Sequence, residues 1–153
     1  MSIILTEMLF KLEKCVSSKD KKSSQISKST IGWHLDHALK VINSVSEQAI
    51  DSNPETYKSN FSFMRVVLFK LGFFPRGKAR APKSVRPPET IVETEIHNQL
   101  QVARTHIKKL ETLPENAYFN HPMFGMLNKK QTVRFLEIHT NHHLKIIRDI
   151  LKS

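Results

Sequence analysis

The sequence predicts an all-α fold, a four-helix bundle with a short extra helix in the crossover between the second and third long helices. Three observations carry that expectation. Apolar residues recur at steps of three and four in four long segments, the spacing of an amphipathic helix. Four Gly and seven Pro fall mostly outside those segments. No stretch shows the period-two alternation of a half-buried strand, so no sheet is expected. A chain of 153 residues can bury a core without disulfides, and one domain spanning 1–153 is the reading.

The first helix covers 3–16 and places Leu5, Leu9, Leu12 and Val16 on one face, before a polar stretch from Ser17 to Lys28. Ser29 or Thr30 caps the second helix, whose stripe is Ile31, Leu35, Ala38, Ile42, Val45 and Ala49. Asn53, Pro54 and Glu55 combine a cap, a first-turn proline and a first-turn acid, which opens a shorter helix aligning Tyr57, Phe61, Met64, Leu68 and Leu71. Gly72 and Pro75 stop it. Residues 74–88 hold four prolines and five basic residues with no acid, so this stretch is a connector that does not itself form a core. Pro88 and Glu89 start the third long helix, with Val92, Ile96, Leu100, Ala103, Ile107 and Leu110 on its stripe, closing before Pro114. Asn128, with Gln131 three residues on, is a capping-box start for the last helix, which runs to the C-terminus. The connection over about 52–87 is long enough to travel back along the bundle, which permits parallel second and third helices.

A net charge of +10 attracts anions of any kind, nucleic acid, anionic lipid and phosphorylated small molecules included, and its sign alone does not choose among them. Two local concentrations stand out: Lys19, Lys21 and Lys22, and the loop with Arg76, Lys78, Arg80, Lys83 and Arg86, a candidate anion-binding element. That loop lacks interleaved aromatics for base stacking, so a nucleic-acid partner is not expected. No segment approaches the ~18 consecutive apolar residues that span a bilayer, and no membrane partner is expected either. The N-terminal Ile3, Ile4 and Leu5 are followed by charges at helical spacing, with no basic leader region, and a lone Cys15 offers no disulfide or thiolate cluster. The expected compartment is the cytoplasm.

Eight histidines matter by where they sit. In the last helix Val133, Leu136, His139, His143, Ile147 and Ile150 share one face, so two imidazoles interrupt an apolar stripe at its centre. Residues at i and i+4 stand ~5–6 Å apart at Cβ, within reach of one ion. Burying imidazoles costs free energy unless their nitrogens are satisfied, and a shared metal does that. His37 lies near the middle of the second helix, at the depth of His139 and His143. The three are the candidate ligands of one divalent transition metal, against the plainer reading of ordinary core histidines. His34, His121 and His142 are candidate pocket or ligand-supporting residues, with His34 also weighed as a fourth ligand and His121 as either a cover or loop packing. His97 and His106 read as surface residues, and Glu95 and Gln99 as weak pocket candidates.

The stretches Trp33-His34-Leu35-Asp36-His37, His121-Pro122-Met123-Phe124-Gly125 and Ile138-His139-Thr140-Asn141-His142-His143-Leu144-Lys145-Ile146-Ile147 together resemble the DinB-like superfamily of metal-binding four-helix bundles, over nearly the whole chain. The likeness is to an uncharacterised branch with HPxFG and HxxHH motifs. What the resemblance implies is an up-down-down-up bundle and a three-histidine site for zinc, nickel or a similar ion on His37, His139 and His143. Better-known members are bacillithiol transferases and a mycothiol-dependent maleylpyruvate isomerase, and relatives imply a homodimer. No residue outside the metal site matches those enzymes, so their substrates do not carry over.

Two functions fit these residues. Three protein ligands leave a position open to water or substrate, as in catalytic zinc sites, which points to a metal-dependent thiol transferase or hydrolase acting on an unknown small-molecule or thiol substrate. The alternative is a non-enzymatic module, stabilised by its metal, whose basic loop binds an anionic partner. No catalytic base stands out: Asp36 and Glu95 are the nearest candidates, and Cys15 has no partner that would make it a nucleophile.

Overall fold

A computed structural model describes residues 3–153: five α-helices and one two-stranded sheet. The helices are α1 (Ile3–Lys14), α2 (Ile31–Asp51), α3 (Phe63–Leu71), α4 (Glu93–Thr112) and α5 (Lys129–Lys152). Each of α1 and α2 packs against both α4 and α5, burying most of the stripes read from the sequence, although Val92, which stands at the N-cap of α4 and on its expected stripe, is exposed. Leu5, Leu9, Leu12, Leu35, Ile42, Leu100 and Leu136 are almost wholly removed from water. Local signals set the main boundaries. The Thr30 hydroxyl accepts the Trp33 N–H at 3.1 Å to cap α2. Asn128 and Gln131 form a reciprocal capping box at the start of α5. Between α2 and α4 lies a buried polar seam. Gln99 Nε2 donates to Asp36 Oδ1 at 2.9 Å, Lys40 pairs with the same carboxylate at 2.7 Å, and His106 Nδ1 bonds Asn43 Oδ1 at 3.1 Å.

Four expectations need correction. The chain does contain a sheet: β1 (Tyr118–His121) and β2 (Gly125–Asn128) pair antiparallel, with Phe119 opposite Leu127 and His121 opposite Gly125. Two short strands around a three-residue turn give too little alternation to register as a pattern, although a glycine after Pro-Met-Phe is a hairpin cue. Gly125 is required twice over. Its φ is +74°, and a Cβ there would run into the Asn60 side chain.

The short helix does not start at Asn53. Asn53 caps a single 3₁₀ turn at Pro54–Thr56, the chain runs extended, and α3 begins after Ser62, whose hydroxyl accepts the Arg65 N–H. Of the stripe expected there, Phe61, Met64 and Leu71 face solvent, and only Leu68 packs against the core. The third long helix starts at Glu93 rather than at Pro88 and Glu89, which lie in irregular chain upstream. Finally, the basic connector is not wholly outside the core: Val85 is buried and Phe74 packs against the core cluster.

Candidate metal centre

Helices α2 and α5 bring His37, His139 and His143 together. One ligand atom from each lies within 4.8 Å of the others, close enough for the three to hold a metal ion. His37 and His143 are buried and His139 half-buried. The rings meet edge to face or tilted, with centroids 4.7–5.2 Å apart.

The surroundings fix two of the three rings. His37 Nδ1 lies 2.9 Å from the Val85 carbonyl, which can only accept, so that nitrogen carries the proton and Nε2 keeps its lone pair. His143 Nδ1 lies 2.9 Å from His34 Nδ1, and His34 Nε2 lies 2.9 Å from the Ser27 hydroxyl. One of the two facing Nδ1 atoms holds a proton. If His143 holds it, His34 accepts, His34 Nε2–H donates to Ser27, and His143 Nε2 is left as a free donor pair. Trp33, one turn before His37, stacks on it at 5.1 Å. Phe135 stands 5.7 Å from His139.

Burial holds all of these imidazoles below their ordinary range, and their mutual proximity adds to the effect. His139 and His143 are pushed well down, and His34 to about 4, burial first and the neighbouring His37, His142 and Arg76 next. His37 falls as well, with the Val85 carbonyl and Asp36 working against its burial. At neutral pH the cluster is therefore a set of uncharged nitrogen donors with no carboxylate among them. His139 Nδ1 is buried with no hydrogen-bond partner, a state that costs roughly 1–3 kcal/mol. An ion among the three rings would supply a missing partner in such a cluster, so the donor set fits a borderline transition metal.

The other candidates have different roles. His34 is spent on His143 and Ser27 rather than standing free as a fourth ligand. His142 Nδ1 donates to the Phe74 carbonyl at 3.1 Å, tying α5 to the connector, and lines a cleft of about 250 Å³ with Phe73, Phe74, Arg76 and Lys145. His121 is a turn residue: its Nδ1 accepts the Met123 and Phe124 N–H groups, and its ring stacks on Phe124 at 4.3 Å. His97 is exposed beside Glu93, whereas His106 is half-buried on Asn43 and not a plain surface residue.

Neither acid offered as a base reaches the cluster, since Asp36 is paired with Lys40 and Gln99 on the α4 side and Glu95 is exposed. Burial pushes the Cys15 thiol up, away from thiolate character. Of the loop cations, Arg76 pairs with Asp149 at 2.8 Å and Arg86 donates to the Ala81 carbonyl, while Lys78, Arg80 and Lys83 are exposed.

Sequence reasoning missed Val85, Ser27 and Trp33. Trp33 had a local signal, its i,i+4 spacing to His37; the other two act through contacts that no local pattern announces.

No curated protein and no solved structure matches the chain. A family model does, that of the protein of unknown function DUF1569, over residues 11–149. The match takes in α2, the hairpin and almost all of α5, and with them every histidine discussed above. The chain therefore belongs to the DUF1569 family, a DinB-like family.

Proposed function

We propose that this protein is a metal-dependent enzyme, a thiol transferase or hydrolase acting on a small-molecule substrate, with one zinc or nickel ion held by His37, His139 and His143. The observation that carries the reading is the convergence of three neutral imidazoles, two buried and one half-buried, two of them held by partners at Nδ1. Such an ion, with a position left open, would supply Lewis acidity toward a thiol, a water or a substrate oxygen. The chain's own residues do the rest. Val85 fixes the orientation and tautomer of His37, His34 holds the His143 ring at Nδ1, and Trp33 and Phe135 pack against the donors. Without such orientation a ligand typically loses ~10–100-fold in metal affinity.

The same proposal includes one domain over 1–153, folded as an up-down-down-up four-helix bundle of the branch with HPxFG and HxxHH motifs, and a cytoplasmic setting. The polar seam supports the topology. Asp36 with Gln99 and Asn43 with His106 are both separated by 63 residues, the constant offset of two helices running the same way. The histidines support an opposed α2 and α5, because His34 meets His143 while His37 reaches back to His139.

Elemental analysis of untagged protein tests the metal. The expected result is close to one transition-metal ion per chain, absent from His139→Ala and from His143→Ala. Equal metal in all three would overturn the assignment. Assays on a panel of thiol and ester substrates, with metal restored to chelated protein, then test the enzyme.

A further inference from the structure

Helix α3 is built inside out. At 100° per residue, Val66, Lys70, Phe63, Val67, Leu71 and Met64 occupy one arc of roughly 160°, and the opposite side carries Arg65, Leu68 and Phe69. The outward arc holds five apolar residues and a single charge. Phe63 is 72% exposed and Leu71 57%, and Phe61 just upstream is 80% exposed. The inward side centres on Arg65, which is buried and donates to the Phe124 and Asn60 carbonyls. A folded chain leaves such a contiguous apolar face in water only where something covers it.

Charge identifies the cover. Between Glu55 and Glu89 the sequence has eight basic residues and no acid. Lys58, Lys70, Lys78, Arg80, Lys83 and Arg86 are exposed. A second copy docking the same face would set like charge on like charge, as a two-fold interface requires. Nucleic acid would use the cations, but the outward arc is largely aliphatic and carries no amide or guanidinium to meet base edges. An anionic bilayer surface suits both features of the segment, taking Phe63, Val66 and Leu71 into the headgroup boundary while phosphates and serine carboxylates meet Lys70 on the same arc and the exposed cations of the flanking chain.

We infer that the crossover segment around α3 docks this protein on anionic lipid surfaces, lying on the membrane and not crossing it. No helix of the described residues is long and apolar enough to cross a membrane, which agrees with a surface mode. The absence of a membrane partner expected from the sequence rested on spanning length, a criterion that does not test for surface docking.

Vesicle co-sedimentation of the full chain tests it, with phosphatidylcholine vesicles against phosphatidylcholine–phosphatidylserine vesicles. Wild type should bind the mixed vesicles, release from them as salt is raised, and ignore the neutral ones. Phe63→Gln with Leu71→Gln should weaken binding by at least about tenfold, because two apolar side chains no longer leave water. Both residues are exposed, so the far-ultraviolet dichroism of that variant should be unchanged. Lys70→Gln, Lys78→Gln and Arg80→Gln should each weaken it by about fivefold. Equal binding to both vesicles, or undiminished binding of the Phe63→Gln/Leu71→Gln variant, would overturn the inference. So would a dimer dissolved by that variant without vesicle binding, or tighter capture of single-stranded homopolymer RNA or of polyglutamate.

Discussion

The histidine face between α2 and α5 and the outward face of α3 break the same rule in opposite directions. One buries imidazoles where aliphatic side chains are the norm, and the other exposes Phe63, Val66 and Leu71 where polar ones are. Elsewhere the helices obey their stripes. Hydrophobic burial is proportional to area and blind to direction, so a chain departs from it locally only where another interaction replaces the lost stabilisation. Inside, the replacement is a web of hydrogen bonds through Val85, His34 and Ser27, around three imidazoles close enough to hold an ion. Outside, nothing within the described residues replaces it. An inward polar cluster thus points to a ligand small enough to be enclosed, and an outward apolar arc to a surface.

On the inner face, the largest effect expected from a change outside the three proposed ligands is at His34. His34→Ala removes the hydrogen-bond partner of His143 Nδ1 without changing a proposed ligand, so metal content at saturation should persist while affinity falls ~10–100-fold, read by competition with a chromophoric chelator. Loss of metal at saturation would make His34 a ligand after all, and unchanged affinity would detach it from the site.

For α3 the equivalent residue is Arg65, on its inward side. Arg65→Ala takes the guanidinium donor from the Asn60 carbonyl and one of two donors from the Phe124 carbonyl, which keeps the Asn60 Nδ2 bond, and should destabilise the fold by about 1–3 kcal/mol in urea unfolding. If α3 were merely adrift on the surface, the cost would be near zero.

His121 lies between the two regions and separates turn chemistry from site chemistry. His121→Ala should lose about 1 kcal/mol by freeing two amides, and His121→Asn should recover part of it, because Asn Oδ1 can stand where Nδ1 accepts. The pH profile carries a sign. Burial holds this imidazole at about 4, whereas in the unfolded chain it protonates near its ordinary 6.5. Between those values the unfolded state takes up a proton that the folded state refuses, so stability falls as pH drops through that window. His121→Ala should show a shallower fall there, measured on chelated protein. An identical slope would move the titration elsewhere.

The smallest effect belongs to the connector. Arg80→Gln and Arg86→Gln should each change stability by no more than about 0.5 kcal/mol and leave metal content intact, because both side chains are exposed. A larger change, or lost metal, would mean that the connector's charged groups help hold the Val85 carbonyl against His37.

What the sequence determined by itself was everything that depends on neighbours within a turn or two of helix. Apolar stripes mark α1, α2, α4 and α5, Thr30 and Asn128 cap where they were expected to, and the i,i+4 step of His139 and His143 puts both rings on one face. His37 joined them through an argument about depth. Tertiary structure decided what depends on distant pairs. His37 meets the carbonyl of a residue 48 positions away and His34 meets a partner 109 away, separations over which no periodicity operates. The hairpin was missed because its strands are four residues each, and its turn is set by a histidine side chain and by Asn60 against Gly125. The turn of α3 about its axis was misread for a related reason. Both sides of that helix are apolar enough to pass for a core face, and only the docking of Arg65 onto the Phe124 carbonyl of the hairpin turn and the Asn60 carbonyl determines which one faces in.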